Sequence, residues 1–161
     1  MPNDISVIPN SRSFKDPCQR RATLGTVLTR DDIEEIAGAL PETTIERSPD
    51  GRPAFRVHGK LYGCQRDRRP DAIDPDTGER LDDVMMFRVA DEGVKQALLA
   101  DPSGAWFTTP HFNGWPGILV RLSDLDKLGR DELEEVIVDA WLCQAPKRVA
   151  KAWLADRHQP G

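Results

Sequence analysis

The stretch TTIERSPDGRPAFRVHGKLYGCQ, residues 43–65, decides the fold class because strand-forming runs alternate in it with turn signals. Phe55 and Val57 alternate with polar neighbours, as expected for a strand with one buried face. Ser48-Pro49-Asp50-Gly51 and Gly59-Lys60 are typical of turns. The runs between these turns are residues 43–47, 54–58 and 61–65. Together they predict three strands that follow one another in an antiparallel meander.

The rest of the chain adds strands and helices in mixed order. Residues 84–89 (VMMFRV) are mostly apolar and predict a central strand. Two further strands are predicted over 105–109 and 118–122, joined by a turn that contains Asn113-Gly114. Apolar periodicity predicts helices over 30–40, 91–99, 131–144 and 146–155. Because no repeating βαβ unit is present, we predict an α+β fold of two layers, an antiparallel β-sheet covered by helices.

Composition limits the class of protein. The chain has 161 residues, 39% of them hydrophobic and 30% charged, with a formal net charge of -5. This size fits one domain, and we expect a flexible arm over residues 1–28 followed by a single domain over 29–157. The polar amino terminus lacks a signal-peptide core, and no apolar run could span a membrane, so we expect a cytoplasmic protein that does not contact membranes. Cys18, Cys64 and Cys143 then remain reduced thiols.

The segment RDRRPDAIDPDTGERLDD, residues 66–83, separates the third strand from the fourth. It is dense in charge, proline and glycine, and this composition predicts a long protruding loop that buries no face. Its charges have both signs, with the positive ones concentrated at Arg66, Arg68 and Arg69. In a DNA-binding protein such a loop would form a wing, and these arginines would lie at its base.

Four blocks of sequence resemble the MmcQ/YjbR family over about residues 30–155. They are ALPETT at 39–44, PAFRVHGK at 53–60, FTTPHFNGWP at 107–116, and DAW at 139–141 with APKR at 145–148. The resemblance implies a compact α+β fold similar to that of secretion chaperones. It also implies DNA binding, because family members commonly carry that label on the strength of a double-wing likeness. No catalytic residues come with it, and the arm before residue 29 and the 66–83 loop depart from the shorter members.

No enzyme chemistry is predicted for this chain. The nucleotide fingerprints GxGxxG and GxxxxGK[ST] and the nucleophile elbow GxSxG are absent. The three histidines, His58, His111 and His158, do not have the spacing of zinc ligands. We therefore expect no catalytic residue, no metal and no cofactor.

The leading hypothesis is a non-enzymatic DNA-binding or regulatory protein that contacts phosphates through basic side chains. The candidates are Arg52, Arg56 and Lys60 near the first hairpin, Arg66, Arg68 and Arg69 at the base of the loop, and Lys147, Arg148 and Lys151 on the last helix. Because the whole chain has a net charge of -5, these residues would have to form a local positive patch in order to attract DNA.

Two alternatives remain open. A protein-interaction or chaperone-like module would bind a partner or a second copy of the chain through an exposed apolar helix face or sheet edge. A small-molecule binder would use the aromatic 106–116 segment, with Thr109, His111 and Trp115 as ligand-binding candidates.

Overall fold

The computed structural model describes residues 27–70 and 72–157. Four helices and six strands follow one another in mixed order, as predicted. The helices are α1 (Arg30–Gly38), α2 (Glu92–Leu99), α3 (Arg130–Gln144) and α4 (Lys147–Arg157). The strands are β1 (Thr43–Arg47), β2 (Pro53–Val57), β3 (Lys60–Gln65), β4 (Val84–Arg88), β5 (Trp106–Phe107) and β6 (Gly117–Arg121). The proposed arm falls almost wholly on residues 1–26, outside the described residues, whereas Leu28 packs against the core.

All six strands form one antiparallel sheet in the order β1-β2-β3-β4-β6-β5. This confirms the predicted α+β class and the meander of the first three strands. The main difference is β5, which has only two residues because the chain turns at Thr109-Pro110 into a short 3₁₀ helix, Pro110–Phe112. A second 3₁₀ helix, Leu122–Lys127, lies in the predicted connector. Within the described residues, no helix is both long and apolar enough to cross a bilayer.

Sequence signals at the helix ends act as expected. The backbone N–H of Thr29 donates to the Asp32 carboxylate at 2.8 Å, which caps α1. The helix ends at Gly38, two residues before the predicted end, because Pro41 disfavours a helical conformation at the residue that precedes it. At the other end of the chain, α4 begins directly after Pro146, a position where proline is tolerated.

One face of the sheet carries the main core. Met85 and Phe87 of β4 and Ile118 and Val120 of β6 point to this face and are essentially inaccessible to solvent. Helices α1 and α3 cover it, and Trp141 of α3 is fully buried there. The Trp141 indole N–H donates to the Pro41 carbonyl at 3.1 Å, which satisfies its polar atom.

The other face carries a second, smaller core, and here one prediction was wrong. Alternate residues of the same strands, Val84, Met86 and Leu119, point to this face. The 66–83 segment does not protrude; its Ala72 and Leu81 are buried against those side chains. These two apolar residues attach the charged segment to the sheet. Composition alone therefore misjudged the segment.

Polar contacts fix the same segment at both of its ends. The Arg52 guanidinium donates to the carbonyl of Arg66 at 2.7 Å and to that of Asp82 at 2.9 Å. Arg121 of β6 forms ion pairs with Asp83 at 3.2 Å and with Asp74 at 3.7 Å. The segment is thus part of the folded domain, with most of its charges exposed and with Ala72 and Leu81 turned inward.

Candidate functional site

Most of the arginines proposed to contact phosphate are occupied within the fold. Arg56 forms an ion pair with Glu46 at 3.0 Å and donates to the Gly59 carbonyl at 3.2 Å. Arg52 pairs with Asp50 at 2.7 Å, in addition to its contacts with the 66–83 segment. These two side chains hold the sheet and its loops together, so a phosphate could reach them only by displacing internal partners.

The three arginines at the start of the 66–83 segment have different environments. Arg66 is buried, with its guanidinium 4.8 Å from the centroid of the Phe112 ring. Arg68 and Arg69 are exposed and pair with Asp82 at 2.9 Å and Asp67 at 3.7 Å. The hydrogen bond from Arg68 lowers the pKa of Asp82 and raises the pKa of Arg68 itself. The start of the 66–83 segment therefore does not present a cluster of unpaired, exposed arginines.

The other four proposed cations are exposed to solvent. Lys60, Lys147, Arg148 and Lys151 are exposed, and none of them forms an ion pair with a residue in 27–70 or 72–157. Their charges point to solvent. We call these four residues the basic end.

The fold brings the basic end together from two distant parts of the sequence. The Gln144 side chain, at the end of α3, donates to the Leu61 carbonyl at 2.9 Å. Lys60 precedes Leu61, and Lys147 follows Gln144 by three residues, a span of at most about 10 Å. The start of β3 and the first turn of α4 therefore lie at the same end of the sheet.

The orientation of α4 turns its positive charges outward. Val149 is buried, and the Trp153 ring packs on that of Trp141 with 5.3 Å between centroids. Lys147 and Lys151 lie one turn apart on the opposite side of the helix. The first turn of α4 contains no acidic residue, so Lys147 and Arg148 face the positive end of the helix dipole without compensation.

The proposed ligand-binding residues Thr109, His111 and Trp115 do not share one exposed surface. Thr109 is buried, whereas His111 and Trp115 are exposed at the surface. The rings of the loop stack edge to face, with centroids 5.3 Å apart for His111 and Phe112 and 5.4 Å apart for Phe112 and Trp115. The aromatic segment is thus largely a packed structural unit.

A buried lysine, which the sequence analysis missed, holds that aromatic loop. Lys95 of α2 is only 2% exposed, and its ammonium donates to the carbonyls of Phe112 at 2.6 Å and Trp115 at 3.0 Å. A signal was present in the sequence. Lys95 precedes Leu98 and Leu99 by three and four residues, and so lies on the apolar stripe of its helix.

The structure also contains a groove that no sequence motif indicated. It lies between α2 and α3 at the end of β4 and has a volume of about 440 Å³. Its apolar walls include Val94 and Leu98 of α2 and Val136 and Leu142 of α3. Cys143 lies at the groove, and partial burial raises the pKa of its thiol. The thiol is consequently a poor nucleophile at neutral pH.

The sheet edge offers little to the alternative of an interaction module. β1 is an edge strand of the six-stranded sheet, and its exposed residues are Thr44, Glu46 and Arg47. Charged side chains on an edge strand discourage pairing with a second chain. Arg47 is also bonded to Glu34 of α1, which holds its side chain against the protein's own helix.

Comparison with known proteins agrees with the fold and names no activity. The model of the YjbR family matches residues 38–143. Uncharacterized proteins Rv2570 of Mycobacterium tuberculosis and Mb2600 of Mycobacterium bovis are each 43% identical over 136 residues, which is 80% of this chain and 97% of theirs. The crystal structure of DR2400 from Deinococcus radiodurans, a DUF419 domain, is similar with a TM-score of 0.53. It is 17% identical, and the match covers 83% of this chain and 91% of that one.

Proposed function

The chain belongs to the YjbR family, and we propose that it is a non-enzymatic nucleic-acid-binding protein that contacts phosphates through the basic end. One observation carries this proposal. Of nine basic residues singled out in the sequence, the four that are exposed and form no ion pair within the described structure are the four that the Gln144–Leu61 hydrogen bond gathers at one end. The other five candidates are all arginines; Arg66 is buried, and the remaining four are paired with carboxylates.

Electrostatics at the start of α4 supports an anionic partner. Lys147 and Arg148 stand in the first turn of the helix, where the dipole repels positive charge. A phosphate at this position would be attracted both by the two side chains and by the backbone N–H groups of the helix terminus. Binding of DNA would thus relieve an arrangement that is unfavourable in the unbound protein.

The net charge of -5 does not oppose this proposal, because the acidic residues are concentrated elsewhere. The 66–83 segment and the first two turns of α3 contain many of them. Four phosphate contacts supply affinity without reading the sequence. We therefore expect weak binding with little preference among duplexes and a strong dependence on salt.

The test is a fluorescence-anisotropy titration of a labelled duplex with the full chain at low and at fourfold higher monovalent salt. Release of counterions from four phosphates predicts a logarithmic salt slope near about -3.6, or roughly 150-fold weaker binding over that interval. Absence of binding at low salt, or binding that is independent of salt, would refute the proposal.

A further inference from the structure

The groove between α2 and α3 has the form of a ligand site. Its volume of about 440 Å³ lies within the range of small-molecule pockets, about 300–1,000 Å³. The walls are apolar side chains of both helices, Val94 and Leu98 facing Val136 and Leu142, and Val89, which directly follows β4, also lines the groove. None of the residues of the basic end lines it, so an inference from this groove stands apart from the proposed function.

The charges at the groove are unbalanced. Glu135 and Asp139 lie one turn apart on α3, both line the groove, and neither forms an ion pair with another described residue. Partial burial and, to a smaller extent, the Glu135 charge raise the pKa of Asp139. The groove thus combines apolar walls with two carboxylates that form no ion pair within the described residues.

One positively charged residue, Arg88, also lines the groove, but its guanidinium contacts an aromatic ring. Arg88, at the end of β4, has its guanidinium 5.2 Å from the centroid of the Trp115 ring, a cation–π contact with the aromatic loop. Counting Arg88 against Glu135 and Asp139 leaves one negative charge in the groove. A ligand that complements this site has an apolar body and one positive charge.

We propose that the groove between α2 and α3 binds a small organic cation, an amine whose apolar body lies between the helices and whose ammonium meets Glu135 and Asp139. The carboxylates would select among apolar ligands, and the helix walls would supply most of the affinity. Only one charged contact per ligand is required, and no bond is made or broken.

Three probes that share one apolar cage separate the effect of charge from that of shape. They are adamantanamine, adamantanol and adamantane carboxylate, titrated into the full chain and followed by two-dimensional amide NMR. We expect saturable shifts at the groove residues of β4, α2 and α3. The amine should bind about fivefold more tightly than the alcohol, the ratio typical of one partly exposed ion pair, and the carboxylate most weakly.

Variants then identify the residues responsible. E135Q/D139N should abolish the preference for the amine while leaving the alcohol bound, and D76N/D126N, which removes two exposed carboxylates outside the groove, should keep the preference. A90W, a bulky side chain introduced at an exposed position of the groove, should block all three probes. The proposal is overturned by tightest binding of the carboxylate, by shifts centred outside the groove or absent altogether, or by an amine preference that survives E135Q/D139N.

Discussion

The ammonium of Lys95 lies 2.6 Å from the carbonyl oxygen of Phe112, inside the protein. This contact ties α2 to the aromatic loop 110–116, and a second one to Trp115 completes the attachment. Lys95 of α2 therefore holds the backbone that carries the Phe112 and Trp115 rings. Those rings in turn receive the guanidinium groups of Arg66 and Arg88.

Replacement of Lys95 by methionine should release this loop. Two carbonyls would lose a charged donor without gaining another, at a cost of about 2–3 kcal/mol in the free energy of unfolding. Urea unfolding measures that cost, and hydrogen exchange of the 110–116 amides should show faster opening. Lys127→Met, at an exposed lysine paired with Asp124, is the matched control, with an expected change within about 0.5 kcal/mol. Equal effects of the two substitutions would contradict the role assigned to Lys95.

The packing of the 66–83 segment is tested by two apolar residues within it. Leu81 is 8% exposed in the second core, whereas Ile73 is 44% exposed. Leu81→Ala should lower the free energy of unfolding by about 2–3 kcal/mol because it leaves a cavity. Ile73→Ala should change it far less. If the segment instead protruded into solvent, both substitutions would be nearly neutral.

Gly117 makes room for the Trp115 ring. A Cβ atom at position 117 would lie within 2.4 Å of Trp115 Cζ3, so Gly117→Ala should displace the indole and cost about 1–3 kcal/mol. The aromatic side-chain resonances of Trp115 would report the displacement. Gly38→Ala is the comparison, because its Cβ would meet only Ile45 Cδ1 at an ordinary 3.7 Å. A stable Gly117→Ala protein with an unmoved Trp115 would contradict this packing.

Tyr62 predicts how stability changes at alkaline pH. Burial raises its pKa to about 12, although a hydrogen bond with Thr43 at 3.0 Å opposes the shift. The phenol ionises more readily in the unfolded chain than in the folded one. Its contribution to the free energy of unfolding is therefore complete below pH about 10, and about 2 kcal/mol of it is lost as the pH rises towards 12. Urea midpoints measured against pH should show this loss, and Tyr62→Phe should reduce it.

The chain contains a single tyrosine, so the tyrosinate absorbance of the native protein reports on Tyr62 alone. We expect that titration to lie well above the midpoint of the unfolded chain. A native midpoint near 10 would contradict the burial argument.

Local signals in the sequence predicted most of the fold. The Pro49-Asp50-Gly51 turn, the alternation around Phe55 and the Thr29 cap act within a few residues, and each appears where expected. The 66–83 segment was misjudged because burial of Ala72 and Leu81 depends on a sheet face built by β4 and β6. Local composition does not contain that information.

The environment of the candidate site residues could not be predicted from the sequence for the same reason. Whether a basic residue is free depends on partners far along the chain, such as Asp82 for Arg68 or Glu46 for Arg56. The nine candidates are alike as sequence, and only the tertiary structure separates the four of the basic end from the rest. The place of Lys95 on the apolar stripe of α2 was a signal, but its partners are backbone carbonyls of another segment, and these have no signature in the sequence.

The central claim, that the basic end binds nucleic acid, is tested most directly by comparing two charge variants in the anisotropy titration at low salt. One variant removes the unpaired cations (K60Q/K147Q/R148Q/K151Q), and the other removes paired ones (R56Q/R68Q/R69Q), with circular dichroism to verify folding. We predict that the first variant loses duplex binding and its salt dependence, whereas the second stays close to the unmodified chain. Equal losses in the two variants, or unchanged binding by the first, would contradict the claim.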